Sequence, residues 1–337
     1  MLSDPSAFDL LARIPTRLAI EPTNICNANC IFCGYRYMDV PRGVMGLDLC
    51  RDVVDEAARL GIKEIKFTPV VGDPLVDPGF LDKVEYAASK KVFRTIYTYT
   101  NLIALHRFDI SRFVRSGLTE LWISIYIGDP ETYKKLFGVP QYERVIANVK
   151  SLVRANEEHG NPIDIAITLR TPKPQSATES TADYRSLSAM GVPIYFMFDG
   201  YDNWGGLITE RDLPAGGSFH GLAPRTAPCC QLYNGLIVQH DGNVGVCWCR
   251  DPNRLLNVGH YPTQSILEIW RGQKLDALRR DWIAGVLPEL CRSCMQYTSV
   301  FDDPTCVETY ITARCSHDTG PYNLLTRDGR HNIKTNA

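Results

Sequence analysis

The sequence predicts an α/β protein in which six strand–helix units form one parallel sheet, either open or closed into a partial barrel. Over the first two hundred residues, short runs rich in β-branched and aromatic residues alternate with longer helical segments. Alternation of this kind is typical of a parallel sheet with helices packed on it. The chain has 337 residues, of which 45% are hydrophobic, so a sizeable core and about two domains are expected.

Each expected element follows from its local pattern. The strands are expected at Arg17–Pro22, Glu64–Thr68, Phe93–Thr98, Glu120–Tyr126, Asp164–Leu169 and Pro193–Phe198. Helices are expected between them, including Leu49–Leu60, Leu81–Lys90, Glu143–Glu157 and Ala182–Met190. Functional residues of such sheets lie at the carboxyl ends of the strands, so we examine the loops that follow them.

Composition narrows the classes of function. The 36 basic and 38 acidic residues give a formal charge of −2, which does not favour nucleic acid as a partner. The sequence has no run of about 18 apolar residues and no signal-peptide pattern at its start, so we expect a soluble cytoplasmic protein without membrane contacts. Twelve cysteines in such a chain indicate reduced thiols for metal or redox chemistry.

Three closely spaced cysteines follow the first expected strand. Cys26, Cys30 and Cys33 have no obvious fourth ligand nearby, since the nearest histidine in the sequence is His106. A four-iron cluster needs four ligands, so three thiolates would leave one iron open to a small molecule. A structural zinc knuckle is the alternative, although zinc sites usually close with a nearby fourth Cys or His.

A second group of cysteines lies in the C-terminal third. Residues 199–226 are rich in Gly, Pro and Asp and indicate a linker or a lid. A hairpin is expected around Asp241–Gly242–Asn243, with Cys247 and Cys249 on its return strand. A helix is expected near Ser265–Leu278, and another one ending at Val286. A Cys-x2-Cys pair follows. A hairpin with a distal Cys-x2-Cys pair is typical of a zinc ribbon.

The first cysteine motif resembles the signature of the radical S-adenosylmethionine (radical SAM) superfamily. This resemblance implies a partial (β/α)6 barrel in which Cys26, Cys30 and Cys33 bind a four-iron cluster. Its open iron would chelate the amino and carboxylate groups of SAM. Gly72, Asp73 and Pro74 resemble the family's Gly-Gly-Glu-Pro motif at the SAM amino group, with Asp in place of Glu. Outside this context, Gly-Asp-Pro is an ordinary turn.

Further positions match the family individually. Thr100 and Asn101 follow the third strand, where the family often places groups near the ribose, and Ser124 occupies a family-like position on the fourth strand. Phe32 resembles the aromatic residue that packs on adenine. Arg170, at the end of the fifth strand, would pair with the SAM carboxylate. Phe32 and Arg170 could equally be plain core and surface residues.

The C-terminal cysteines resemble the twitch domain, the short form of the SPASM domain, which holds one auxiliary four-iron cluster. The resemblance implies that its ligands are Cys229, Cys247, Cys291 and Cys294. Cys230 could replace Cys229. The other three cysteines are expected to be spectators: Cys50, Cys306 and Cys315. The expected domains are a radical SAM barrel at 1–198, the linker or lid at 199–226, the twitch domain (hairpin plus helix) at 227–297 and a tail at 298–337.

Cys249 is not among the four expected ligands of the auxiliary cluster. In a strand it would share a face with Cys247, which places a free thiol beside the auxiliary cluster. A thiol donates hydrogen atoms readily, so this residue would suit an epimerase that returns hydrogen to the face opposite the abstraction. Cys249 could also be a buried small hydrophobe or an alternative ligand.

From the first strand to Cys294 the chain resembles twitch-type radical SAM epimerases that act on aminoglycosides. The resemblance implies two [4Fe-4S] clusters, SAM as a cosubstrate, and an external electron donor of the flavodoxin or ferredoxin type. A polycationic substrate would require carboxylates, and four lie near the expected mouth: Glu21, Asp39, Asp199 and Asp202. Alternatives are a radical SAM dehydrogenase of an amino sugar or aminocyclitol, a peptide-modifying enzyme, and a non-enzymatic electron carrier or zinc-binding interaction module.

Overall fold

The computed structural model describes residues 14–197, 200–214 and 216–303, together with Phe8, Ala12 and Cys306. Within these residues, the strands are β1 Arg17–Ile20, β2 Glu64–Lys66, β3 Thr95–Thr100, β4 Glu120–Ile125, β5 Asp164–Leu169, β6 Ile194–Phe196, β7 Gly235–Val238, β8 Asn243–Gly245 and β9 Asn257–His260. The α-helices are α1 Leu47–Arg59, α2 Phe80–Ser89, α3 Ile110–Val114, α4 Pro130–Phe137, α5 Tyr142–Glu158, α6 Gln175–Glu179, α7 Ala182–Ala189, α8 Gln231–Asn234, α9 Ile266–Trp270, α10 Gln273–Ile283 and α11 Glu289–Ser293.

The first six strands form a parallel sheet in sequential order, as predicted. Their bounds agree with the expected ones to within about two residues, and the expected end at Phe198 lies outside the described residues. The largest shift is in β3, which starts at Thr95 because Lys91 has a φ of 56° and Arg94 N bonds to Lys63 O. Thr100 therefore ends the strand rather than following it.

Alternate residues of the central strands face opposite sides of the sheet. Ile96, Leu121 and Ile123 are buried in the main core, which also contains residues of the surrounding helices. Tyr97, Tyr99, Trp122 and Ser124 are only partly buried and point to the other side. This second side is the inner face of the partial barrel, and it is the side on which a substrate could bind.

The C-terminal segment extends the same sheet. Strand β7 pairs in parallel with β1, and β7, β8 and β9 form antiparallel pairs, so the predicted hairpin is confirmed. At Gly235 the approach is very close, because an added Cβ would lie 1.9 Å from the Arg17 carbonyl oxygen. Only glycine allows β7 to pair with β1 at this position. Ser299, in the expected tail, pairs with Cys229 in an antiparallel bridge.

Three details of the C-terminal prediction are wrong. Strand β8 ends at Gly245, after a register irregularity at Val244, so Cys247 and Cys249 lie in a loop of bends rather than on the return strand. The helix expected at Ser265–Leu278 is two helices, α9 and α10. They separate at Gly272, whose extended backbone (φ −73°, ψ 153°) ends one helix and begins the next.

The expectation of another helix ending at Val286 is also wrong, since α10 continues through Leu278, ends at Ile283 and is followed by Gly285 with a φ of 77°. Among the helices in the described ranges, none has the length and apolar character needed to cross a membrane.

Candidate functional site

The loop that carries Cys26, Cys30 and Cys33 is held by backbone contacts from two sides. Asp73 N donates to Ile25 O at 3.0 Å, and Asn29 N donates to Phe137 O at 2.9 Å. A Cβ on Gly72, which has a φ of 124°, would lie 2.9 Å from backbone atoms of the residues before the motif. The loop after β2 and the end of α4 therefore position the three cysteines at the carboxyl end of β1.

The three thiols of this loop interact with one another. Burial raises the pKa of Cys30 well above its usual value, and Cys33 and Cys26 raise it further. Burial also raises the pKa of Cys26 and of Cys33. Thiols that are buried together hold their protons unless a cation stabilises the thiolates, and a bound metal does this. The donor set therefore suits an iron–sulfur cluster.

No three His, Cys, Asp or Glu side chains within the described ranges are arranged to hold a single metal ion. In a four-iron cluster the thiolates bind different iron atoms. All eleven cysteines of the described residues are free thiols.

Asp73 joins the loops that follow β2 and β3. Its side chain is buried, and its two oxygens accept hydrogen bonds from Leu75 N at 3.0 Å, Asn101 N at 2.7 Å and Thr100 Oγ1 at 2.9 Å. Burial outweighs these bonds and raises the pKa of Asp73 to about 6. Pro74 begins the short 3₁₀ turn that Asp73 caps. This carboxylate therefore ties the loops after β2 and β3 together, and its expected role at the SAM amino group stays a prediction.

Asn101 contacts the cysteine loop directly. Its Nδ2 donates to Asn27 Oδ1 at 2.8 Å and lies 3.8 Å from Cys26 Sγ. Ser124, on the neighbouring strand β4, lies 3.0 Å from Thr168 of β5, hydroxyl to hydroxyl. These polar groups lie at or near the carboxyl ends of β3, β4 and β5, where family resemblance expects the adenosyl group.

Phe32 lies between an aromatic ring and a guanidinium. The ring of Tyr201 is 6.0 Å from that of Phe32 with an interplanar angle of 27°, and Arg170 Cζ lies 6.0 Å from the same ring. Burial lowers the pKa of Arg170, and Arg250 lowers it further. Arg170 and Tyr201 also line a cavity at the carboxyl ends of β5 and β6. Sequence analysis missed Tyr201, because it lies in a segment without periodicity.

A second cavity contains the four expected auxiliary ligands. Cys229, Cys247, Cys291 and Cys294 all line it, and so does Cys249. The structure therefore brings together residues that lie more than sixty positions apart in the sequence.

Cys230 does not line this cavity and is buried in the main core. A hydrogen bond from the Cys230 thiol lowers the pKa of Cys229, which favours Cys229 as the thiolate. Geometry thus favours Cys229 over Cys230 as the ligand.

Side chains around the auxiliary cavity direct hydrogen-bond donors toward it. Trp282 Nε1 is buried without a hydrogen-bond partner in the described part of the chain, and Trp282 lines the cavity together with Cys291. Burial raises the pKa of Cys291 to about 12, and the Trp282 contact acts in the opposite direction. Tyr297 stacks on Trp282 at 5.9 Å, and Arg225 lies 4.6 Å above Tyr297. An indole N–H facing a sulfur suits a cluster bound by thiolates.

Cys249 lies between the two cysteine sites. It packs against a small apolar cluster that Cys33 also contacts, whereas Cys247 packs against the main core. Its sulfur interacts electrostatically with Lys66 and with Tyr99, both on the inner face. Cys249 therefore lines the auxiliary cavity and also approaches the sheet on which a substrate could bind.

Trp204 and Arg250 connect the two sites. Trp204 Nε1 donates to Phe32 O at 2.9 Å, and a Cβ on Gly34 would lie 2.5 Å from the indole ring. Arg250 lies 4.6 Å above this ring and donates to the Cys249 carbonyl oxygen at 2.7 Å. Sequence analysis missed both residues, and no local pattern marks either one.

Three of the four acidic side chains expected near the mouth are described. Glu21 is buried and paired with His240 at 2.9 Å, Asp39 is exposed, and Asp202 pairs with Arg250 at 2.6 Å. Asp199 lies outside the described residues.

Two of the three expected spectators lie within the described residues, and both are buried. Cys50 is buried in α1, and buried Cys306 donates to Asn234 Oδ1 at 2.6 Å. Cys315 lies outside the described residues.

The inner face carries further residues that the sequence reading did not select. Tyr99, Trp122 and Tyr195 form a row of rings across β3, β4 and β6, and Lys66 Nζ lies 5.6 Å from the Tyr99 ring. The sequence did contain a signal for these rings. Successive side chains in Thr95–Thr100 and Glu120–Ile125 point to opposite faces of the sheet, which separates the rings from the core residues.

Comparisons with known proteins agree with this arrangement. Residues 20–163 match the Radical SAM superfamily, and residues 229–295 match the SPASM iron–sulfur cluster-binding domain. The chain therefore contains a radical SAM domain and a C-terminal SPASM domain, and these domains indicate SAM and iron–sulfur clusters as its cofactors.

Curated relatives match over part of the chain. GTP 3′,8-cyclase of Cronobacter sakazakii is 27% identical over 154 residues, which cover 44% of this chain and 46% of that protein. AdoMet-dependent heme synthase of Methanosarcina barkeri is 24% identical over 189 residues, or 56% of this chain and 52% of that one. The chain thus spans about half the length of the curated relatives it matches.

Solved structures share the fold over most of the chain. BtrN in complex with AdoMet and 2-DOIA is 17% identical with a TM-score of 0.57, covering 86% of this chain and 96% of BtrN. SuiB of Streptococcus suis, bound to the precursor peptide SuiA, is 12% identical with a TM-score of 0.61, covering 87% of this chain and 76% of SuiB. At these identities the likeness is one of fold.

Proposed function

We propose that this protein is a radical SAM epimerase that inverts one sugar carbon of an aminoglycoside antibiotic. The observation that carries the proposal is the position of Cys249. Its thiol lies beside the four expected auxiliary ligands and interacts with Lys66 and Tyr99 of the inner face. A free thiol in this position suits hydrogen-atom donation to a substrate that lies on the sheet.

Different cysteines of the chain would carry out different steps of the reaction. Cys26, Cys30 and Cys33 would hold a cluster that, with SAM bound, supplies a 5′-deoxyadenosyl radical able to take hydrogen from carbon. Cys249 then gives its S–H hydrogen to the resulting substrate radical from the opposite side, which inverts the carbon. The sulfur radical left on Cys249 needs one electron and one proton before the next turnover. Formation of the adenosyl radical from SAM takes one further electron, and an external flavodoxin or ferredoxin would be the source of both electrons.

The specific substrate follows from the resemblance to neomycin C epimerase. In this reading the enzyme converts neomycin C to neomycin B by inversion at C-5‴ and consumes SAM as a cosubstrate. Two four-iron clusters are proposed, one bound by the first cysteine motif and one in the auxiliary cavity.

A radical SAM dehydrogenase acting on an amino sugar or aminocyclitol is the second candidate. The fold likeness to BtrN, which was solved with AdoMet and 2-DOIA, favours it. In a dehydrogenase the substrate radical would lose an electron instead of gaining a hydrogen atom, and Cys249 would have no chemical task. A non-enzymatic electron carrier or zinc-binding module would not cleave SAM at all.

The proposal is tested with Cys249→Ala in the reconstituted, anaerobic protein supplied with SAM, a reductant and neomycin C. The variant should still form 5′-deoxyadenosine but should not accumulate epimer, because hydrogen abstraction precedes hydrogen donation. Cys249→Ser should fail in the same way, since an O–H bond is too strong to give up its hydrogen readily. Cys50→Ala, which changes a buried thiol of α1, is the matched control and should epimerise normally.

Mass analysis in deuterated water separates the candidates. Wild-type epimerase should give an isomer that carries one solvent-derived deuterium at the inverted carbon, because a thiol proton exchanges with water. A product lighter by two mass units would indicate a dehydrogenase. Epimer without solvent deuterium, or normal epimer formation by Cys249→Ala, would contradict the role of this thiol.

A further inference from the structure

The inner face carries a row of aromatic rings that the fold itself does not require. We call Tyr99, Trp122 and Tyr195 the aromatic shelf. The Trp122 ring lies 5.7 Å from Tyr99 at an angle of 12° and 5.8 Å from Tyr195 at 37°. The main core lies on the other side of the sheet, and Tyr195 is 39% exposed. Apolar surface of this kind on an otherwise polar face marks a binding site.

The shelf is continuous because the strand between Trp122 and Tyr195 carries small side chains. Strand β5 separates β4 from β6, and its inward residues are Ala166, opposite Trp122, and Thr168, opposite Tyr195. A large side chain at either position would fill the space between the two rings. The rings of Trp122 and Tyr195 can therefore meet across β5, with their centroids 5.8 Å apart.

Opposite charges lie beside two neighbouring rings of the shelf. Glu120 begins β4 on the same face, and its Oε2 accepts a hydrogen bond from Trp122 Nε1 at 3.4 Å. Within the described ranges Glu120 makes no ion pair. Lys66 Nζ lies 5.6 Å from the Tyr99 ring, and Lys66 and Glu120 pair with Tyr97 from opposite sides. Cys249 interacts with both Lys66 and Tyr99. A bound cation would therefore lie toward Glu120 and away from Lys66.

We infer that the aromatic shelf and Glu120 bind a second, non-reacting ring of a polycationic amino sugar while the reacting ring lies at Cys249. This inference rests on the proposed function and deepens it. Aromatic faces attract ammonium groups, and Trp is the strongest of them. A carboxylate adds a charge-assisted hydrogen bond. Together the rings and Glu120 select a sugar that carries amino groups over a neutral one.

The test measures binding of neomycin C to the reconstituted, SAM-loaded full chain by anaerobic calorimetry, beside the kinetics of epimerisation. Glu120→Gln should weaken binding about 10- to 100-fold, the value of a hydrogen bond to a charged group. It should also reduce the dependence of affinity on salt, because one ionic contact is lost. Trp122→Ala should weaken binding roughly 3- to 30-fold. Trp122→Phe, which keeps an aromatic face, should recover part of that loss.

Glu158→Gln is the matched control, because it removes the same charge from an exposed residue at the end of α5. It should bind as the wild type does. If Glu120→Gln and Trp122→Ala both bind within twofold of wild type, the shelf is not the binding surface. If the wild type binds neomycin C but does not epimerise it, the proposed function is overturned, and the inference that the shelf binds an amino sugar is kept. No binding of neomycin C by the wild type would overturn both.

Discussion

Replacing Trp204 by Phe should loosen the connection between the two cysteine sites. The substitution removes the hydrogen bond from Nε1 to Phe32 O, at 2.9 Å, which contributes about 1 kcal/mol net. It also weakens the contact with the Arg250 guanidinium at 4.6 Å, which contributes about 1 kcal/mol. The smaller ring loses further packing against Gly34. The total is roughly 2–3 kcal/mol, which for a chain of this size corresponds to a decrease of about 5 °C in Tm.

The functional effect should be larger than the stability effect. Arg250 also donates to the Cys249 carbonyl oxygen, so displacement of Arg250 moves the proposed hydrogen donor. We expect the ratio of epimer to 5′-deoxyadenosine to fall in Trp204→Phe, because SAM cleavage would continue while hydrogen return becomes inefficient. Thermal unfolding followed by fluorescence gives Tm, and chromatography of the two products gives the ratio.

Trp270 offers a closely matched control. Its Nε1 donates to Ala12 O at 2.8 Å, and Arg279 lies 4.3 Å above its ring. Trp270→Phe therefore loses the same kinds of contact and should lose similar stability, but it should keep the wild-type product ratio. If both variants show the same ratio, or if Trp204→Phe leaves Tm unchanged, the connecting role assigned to Trp204 is refuted.

Three further predictions concern the clusters. Replacing Cys26, Cys30 and Cys33 together by Ala should reduce bound iron from about eight atoms to about four and abolish SAM cleavage; cleavage by this variant would exclude the radical SAM assignment. Cys291→Ala should lose the other four irons and lower Tm, because a closed metal site contributes to folding, and unchanged iron content would disprove its ligand role. Trp282→Phe should lower the midpoint potential of the auxiliary cluster by roughly 20–60 mV in a redox titration followed by EPR, since it removes the unpaired N–H that would donate to a sulfur of the bound cluster; an unshifted potential would contradict this role of Trp282.

The sheet could be predicted because its signals are local. Each of the first six strands has its own β-branched or aromatic run, and sequential strand order needs no distant information. The position of Cys247 and Cys249 could not be predicted in this way. Pairing of β8 with β9 ends at Gly245, and the loop that follows is shaped by Asp251, whose carboxylate accepts from the Leu255 and Leu256 amides. The periodicity of hydrophobic residues along the sequence does not reveal such side-chain to backbone contacts.

Within the site, the cysteines were found by spacing and the surrounding residues were not. In β3 both faces carry β-branched or aromatic residues, for example Ile96 and Thr98 on one side and Tyr97 and Tyr99 on the other. Hydrophobic character alone does not tell which of these faces the helices cover. Trp204 acquires its role only through contacts with Phe32 and Arg250, which are distant in sequence.

One edge of β1 can form its hydrogen bonds only after β7 has been synthesised, because the two strands pair. Thr16 and Asn234, which are hydrogen-bonded beside this pair, lie 218 residues apart. Until β7 has been made, β1 presents an unpaired backbone edge, and such edges associate with other chains. Pairings between distant segments also form slowly. A nascent or truncated chain that ends before Gly235 should therefore aggregate along Arg17–Ile20, and expression of the first two hundred residues alone should yield insoluble protein.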